Sequence, residues 1–209
     1  MGYYPLYLEM TDRRCLVIGG GAVAERKIAA LLEAGAEVTV ISPDVTEAIA
    51  RWSKNDSIQF HARRYQRGDI NGHQLVFVAT DDGSVNAQVH QDGKNQGVWV
   101  NAADDPEHCD FILPSVLRRG DLMVAVSSGG NSPALARTIR EELESYFTQE
   151  YEQLAGLAAE ARVELRKRSL SAPFEVWRRA LSGDVRQLLM RGEVAQAKSH
   201  LLKELGVSL

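Results

Sequence analysis

Short, nearly uninterrupted apolar runs alternate with amphipathic stretches through the first half of the chain. Cys15-Leu16-Val17-Ile18 stops at Gly19-Gly20-Gly21, and Ala22 to Ala34 follows with Ala24, Ile28, Leu31 and Leu32 near one helical face. Gly35 ends that helix, and the β-branched run Val38-Thr39-Val40-Ile41 predicts a second buried strand. Pro43 opens a second predicted helix with Val45, Ala48, Ile49 and Trp52 as its buried stripe. Ile58 to His61 and Leu75 to Ala79 read as further strands. Thr80-Asp81-Asp82-Gly83 then turns into a helix over Ser84 to Asn95, before a strand at Val98-Trp99-Val100. Strands of this kind, alternating with helices, predict an α/β fold with a mostly parallel sheet covered by helices.

The pattern changes after Phe111. Phe111 to Leu117 and Leu122 to Val126 are short strand candidates joined through Arg118-Arg119-Gly120-Asp121, as in a hairpin. Ser127 to Pro133 breaks the chain before a helix carrying Leu135, Ile139 and Leu143. From Tyr151 onward, Leu154, Leu157, Ala161, Leu165 and Arg168 fall at helical intervals, and groups around Val176, Leu181, Leu188 and Leu202 suggest further short helices. The expected division is therefore an α/β domain over 1–113, a linking region over 114–147 and a small all-helical domain over 148–209. A shift from net acidic to net basic composition near residue 150 supports the second boundary.

With 44% hydrophobic residues in 209, the chain can bury a packed core. Its formal charge of -4 gives no sign of a nucleic-acid or membrane surface. Cys15 and Cys109 are too few for a disulfide framework, and the five histidines are not spaced as a metal cage, so no resident metal is expected. No apolar run approaches the roughly 20 residues of a membrane span, and Met1 to Arg14 lacks a signal core. A soluble, reducing, cytoplasmic setting is the expectation.

Gly19, Gly21 and Ala24 form a Gly-x-Gly-x-x-Ala pattern between a strand and a helix. Small residues there suit a tight turn, close approach of a pyrophosphate and close helix packing, while the helix start directs N–H groups at the phosphate. The pattern alone is weak, since a glycine turn can also serve only packing; its setting favours a dinucleotide. Ser42-Pro43-Asp44 follows the second strand. Ser42 can bond a hydroxyl or a phosphate, and Asp44 either turns away or caps the next helix. No arginine stands at this strand end, which favours NAD over NADP.

The blocks Tyr3-Tyr4-Pro5-Leu6-Tyr7-Leu8, Val17 to Lys27, Ala79-Thr80-Asp81-Asp82, Val100 to Pro106, Cys109 to Pro114 and Met123 to Pro133, in this order, resemble the precorrin-2 dehydrogenase family, which also forms the amino-terminal part of siroheme synthase. The resemblance covers residues 3 to about 145. It implies a Rossmann-type NAD-binding domain, a central dimerisation region, a helical C-terminal domain and a homodimer. The implied activity is NAD-dependent oxidation of precorrin-2 to sirohydrochlorin in siroheme biosynthesis. Some members also insert ferrous iron, which would be a substrate here. The competing reading from another class is a noncatalytic NAD-sensing module.

For the cofactor, the glycine turn and the resemblance together single out Gly19, Gly20, Gly21, Ala22, Val23, Ser42, Pro43, Thr80 and Asp81. The resemblance makes Asp104 the functional carboxylate, able to accept a proton as hydride leaves the substrate. The neighbouring Asp105 and Asp110 read as structural. Ser128, Asn131 and Arg137 are the expected contacts to the polycarboxylate substrate, with a turn or helix start as the alternative for the first two and a solvated surface for Arg137 and Arg140. Phosphorylation of Ser128, known in some members, would oppose substrate binding. Cys109 and the tryptophans Trp52, Trp99 and Trp177 are expected in packing roles.

Overall fold

Five parallel strands, β1 (Arg14–Ile18), β2 (Glu37–Ile41), β3 (Gln59–His61), β4 (Leu75–Val78) and β5 (Trp99–Ala102), form a sheet in the order β3-β2-β1-β4-β5. This computed structural model describes residues 2–207; Met1, Ser208 and Leu209, at the outer ends of the first and last expected domains, lie outside the described residues. Successive side chains of β1 enter two different cores. Cys15 and Val17 pack with Ile28, Leu31 and Ile49, whereas Leu16 and Ile18 pack with Ile70, Val89 and Val98. Helices α1 (Ala22–Glu33) and α2 (Glu47–Lys54) supply the first face and α3 (Gly83–Gln96) the second. Burial on both faces is the reason Cys15 to Ile18 of β1 and Leu75 to Val78 of β4 are apolar at every position rather than at alternate ones.

The expected helix start at Pro43 is corrected: α2 begins at Glu47, with Thr46 as its N-cap accepting from the Ile49 N–H at 3.4 Å. Asp44 is therefore not the cap. The segment between Ser42 and Thr46 covers the glycine turn instead, through Ser42 Oγ donating to the Asp44 carbonyl at 2.6 Å and the Thr46 N–H donating to the Gly20 carbonyl at 3.0 Å. At the head of α3, Asp82 accepts from the Ser84 and Val85 N–H groups. Trp99 is a second correction, since it stands on the edge strand with 49% of its surface exposed rather than in a core.

Residues up to Ile112 form one compact unit and those from Leu113 a second. In the second, β6 (Ser115–Arg119) and β7 (Leu122–Val126) pair antiparallel as a hairpin, with Arg119 opposite Leu122. The strand expected from Phe111 starts only at Ser115. Phe111 packs edge-on against Phe77, ring centroids 5.6 Å apart, and Pro114 brings no N–H to a ladder. Helix α4 (Pro133–Tyr146) is capped by Ser132, whose side chain accepts from the Leu135 N–H. Helices α5 (Glu150–Lys167), α6 (Phe174–Ala180), α7 (Gly183–Met190) and α8 (Val194–Glu204) share one core of Leu154, Leu157, Ala161 and Leu165 against Val185, Leu189, Leu201 and Leu202. Among the described residues no helix is long and apolar enough to cross a membrane.

Candidate functional site

The strand order reverses between β1 and β4, which in an open parallel sheet places a crevice at the carboxyl ends of the strands. Gly19 follows β1, Ser42 follows β2, Ala79 and Thr80 follow β4, and Ala103 and Asp104 follow β5. Gly19 has φ +117°, and a Cβ there would lie 2.1 Å from the Ala79 carbonyl oxygen. At Gly20 a Cβ would lie 2.0 Å from the Asp44 carbonyl oxygen. Both glycines are thus demanded by the protein's own backbone. Gly21 is different: a Cβ would meet nothing within 4 Å, although this residue is the N-cap of α1 and its cap carries no side-chain hydrogen bond. The open approach to the first N–H groups of α1, at Ala22 and Val23, fits the phosphates of a dinucleotide.

Around this turn Ser42 is buried, with its hydroxyl proton directed to the Asp44 carbonyl, so only its lone pairs are left for a ligand. Pro43 is exposed beside it. Thr80 Oγ1 accepts from the Asp82 N–H at 3.1 Å, and Asp81 is exposed at the same strand end.

Asp104 occupies a turn with φ +57°, a left-handed conformation in a residue that is not glycine. Its side chain is exposed and makes no hydrogen bond or ion pair among the described residues, while its flanks are pinned. The Ala103 N–H donates to the Val78 carbonyl at 2.8 Å. Cys109 Sγ accepts from the Ala102 N–H at 3.2 Å and its thiol donates to the Ala102 carbonyl at 3.1 Å. Burial pushes that thiol's pKa up, away from thiolate reactivity. Asp105 pairs with His108 Nδ1 at 2.8 Å and accepts from Asn86 Nδ2 at 3.1 Å. Those two bonds, His108 first, hold its carboxyl below the usual range. Asp110 accepts from the Val100 N–H at 2.8 Å and lies 3.6 Å from His90 Nε2. The three carboxylates therefore separate by environment: two are tied to the frame, and Asp104 faces outward.

Lys27 is a further candidate, one that the residue pattern alone does not single out. Its Nζ donates to Asn101 Oδ1 at 3.1 Å and stands 5.2 Å from the centroid of the Phe77 ring. Asn101 is itself buried and donates to the Phe111 carbonyl at 2.9 Å. Burial lowers the Lys27 pKa, opposed by the nearby Cys109 and Asp104. The signal was present in the helical spacing, because Lys27 falls three residues after buried Ala24 and four before buried Leu31.

The remaining candidates belong to the second unit. Ser128 Oγ donates to the Ser132 carbonyl and accepts from the Ser132 N–H, both at 2.8 Å, and Asn131 Nδ2 donates to the Ser128 carbonyl at 3.0 Å. Both side chains thus build the turn before α4. Arg137 is exposed and donates to Glu141 at 2.8 Å, and Arg140 pairs with Glu141 and Glu144.

Comparison with known proteins follows the same division. A family described as NAD(P)-binding matches residues 6–115, and one described as the central part of sirohaem biosynthesis proteins matches residues 119–146. Siroheme synthase of Nitrosococcus oceani is 41% identical over 203 residues, which are 96% of this chain and 43% of that protein. Siroheme synthase 1 of Aeromonas salmonicida is 40% identical over 200 residues, 94% of this chain and 43% of that protein. The chain thus spans less than half the length of these relatives. The solved structure of SirC, a precorrin-2 dehydrogenase, matches with a TM-score of 0.78 at 28% identity, covering 94% of this chain and 99% of that one. The glycine turn, the crevice above it and a family match across more than half of the sequence lead to one assignment: this chain belongs to the NAD(P)-binding family that includes precorrin-2 dehydrogenase and siroheme synthase.

Proposed function

We propose that the chain catalyses NAD-dependent oxidation of precorrin-2 to sirohydrochlorin, a step of siroheme biosynthesis. The observation that carries this reading is the meeting, at one end of the sheet, of an open backbone approach at Gly21 and an outward-facing carboxylate at Asp104. The Ala22 and Val23 N–H groups would hold the cofactor phosphates, with Ser42 and Pro43 bordering its adenosine half and Thr80 and Asp81 the β4 end. Bound NAD supplies the hydride acceptor. Asp104 takes the proton that leaves the substrate as the hydride departs and passes it to water, and the pinned flanks of its turn fix where that carboxylate stands. Ser128, Asn131 and Arg137 are assigned to the substrate side, each giving up part of an internal bond when a carboxylate arrives.

The test is an anaerobic assay with precorrin-2 and NAD, following NADH and sirohydrochlorin together. Equal formation of both is expected. NAD binding without either product would overturn the dehydrogenase and leave a sensing module.

The three-part organisation, with 114–147 as a dimerisation region, belongs to the same proposal. Among the described residues neither outer edge of the β6–β7 hairpin is paired with another strand, and Val116 is 40% exposed. Analytical ultracentrifugation should find about twice the chain mass, and a fully active monomer at micromolar concentration would exclude an obligatory dimer.

A further inference from the structure

The Lys27 ammonium has three N–H donors, and the protein fills one of them. Asn101 Oδ1 takes that proton at 3.1 Å, the face of Phe77 lies on a second side at 5.2 Å, and among the described residues no carboxylate oxygen is within ion-pair distance. A partly buried cation held by a neutral amide and an aromatic face, with the Asp104 charge nearby but beyond ion-pair distance, is incompletely compensated, and an anion is the ligand that completes it. Its position adds to this. Asn101 lies three residues before Asp104, on the strand whose end carries the Asp104 turn, so the ammonium is fixed to the same strand as the proposed proton acceptor. Asn101 is in turn held by Phe111 through the bond to its carbonyl, which denies Lys27 the freedom of a surface lysine.

We propose that Lys27 receives a carboxylate of the tetrapyrrole substrate beside the Asp104 turn, an inference that rests on the dehydrogenase reading above. The geometry suits a carboxylate: a compact point charge with two free donors tolerates approach from several angles, as a flexible acidic side arm requires. The cofactor is the alternative recipient, and the two are separable because NAD and the tetrapyrrole can be titrated independently.

Full-length Lys27→Met and Lys27→Arg should be compared with the unaltered chain by steady-state oxidation of precorrin-2, by NAD titration and by equilibrium binding of sirohydrochlorin, with circular dichroism as a control for folding. Losing one charge-assisted bond should raise the KM for precorrin-2 and weaken sirohydrochlorin binding by about 10- to 100-fold, with kcat changed far less and NAD affinity unchanged. Lys27→Arg should recover most of the loss. Added salt should weaken binding by the unaltered chain more than by Lys27→Met. A folded Lys27→Met with normal KM overturns the proposal, as does a loss confined to NAD affinity. If Lys27→Met does not fold, Lys27→Gln, which keeps a donor to Asn101 without the charge, carries the same comparison. Should the unaltered chain bind sirohydrochlorin in a Lys27-dependent manner yet oxidise no precorrin-2, the dehydrogenase fails while the carboxylate site stands. Should it bind no tetrapyrrole at all, both fall.

Discussion

Asp104→Asn should lower turnover by about 100- to 10,000-fold while leaving folding and NAD affinity in place. The substitution keeps size and hydrogen-bonding capacity and removes only the basic carboxylate. It is also conformationally safe, because φ at this position is +57° and asparagine tolerates the left-handed region better than nearly every other residue. Asp104→Ala would confound the test by adding backbone strain. Asp105→Asn is the control: its carboxylate is engaged by His108 and Asn86, so its loss should loosen the turn and cost less turnover than the loss of Asp104. Product formation, NAD titration and circular dichroism on both variants check this. A folded Asp104→Asn enzyme with near-normal turnover would remove the carboxylate from the proton path and send the proton to water or another group.

The second large effect separates two glycines that look alike in the sequence. Gly19→Ala should destabilise the first unit by about 3 kcal/mol or more, since the new methyl group would overlap a backbone carbonyl and sit at φ +117°. Neither Ala79 nor β4 can retreat without breaking the β1–β4 ladder, in which Ile18 pairs with Val78. Gly21→Ala should keep the unfolding midpoint and instead weaken NAD by about 10-fold or more, because its methyl group points into the space where phosphate would lie. Urea denaturation and NAD titration on both proteins distinguish the outcomes. Equal loss of stability in the two would mean that Gly21 also serves packing, and normal NAD affinity in Gly21→Ala would move the phosphates elsewhere.

The parallel sheet is legible in the sequence because Cys15 to Ile18 and Leu75 to Val78 are apolar at consecutive positions and Val38 to Ile41 is β-branched throughout, a pattern that burial on both faces makes stable. Helix α5 is legible for a related reason, its buried leucines and Ala161 recurring at helical spacing. Pro43 misleads because proline suits a first helical turn, yet the deciding feature is the Thr46 cap, and the residues between them are occupied with Gly20. Phe111 misleads because an aromatic residue before Ile112 and Leu113 resembles a strand, whereas its ring packs against Phe77, far away along the chain. The site divides in the same way. A glycine turn between strand and helix is a local pattern and can be read. Lys27 acquires its meaning from Asn101, 74 residues later, and a lysine on a helix ordinarily reads as solvated.

The glycine turn is closed by partners that arrive from separate parts of the chain. The Gly19 N–H donates to the Ile41 carbonyl and the Ala79 N–H to the Ile18 carbonyl, so the turn is complete only when β2 and β4 have both docked on β1. The β4 docking, which pairs Cys15 with Leu75, closes the longer of the two loops before any contact repays its entropy. The cofactor pocket therefore matures late in folding, and a nascent chain cannot hold the dinucleotide until β4 has been synthesised and docked. Bound as proposed, the nucleotide would tie three distant segments together, which would make its concentration a brake on the unfolding of the first unit.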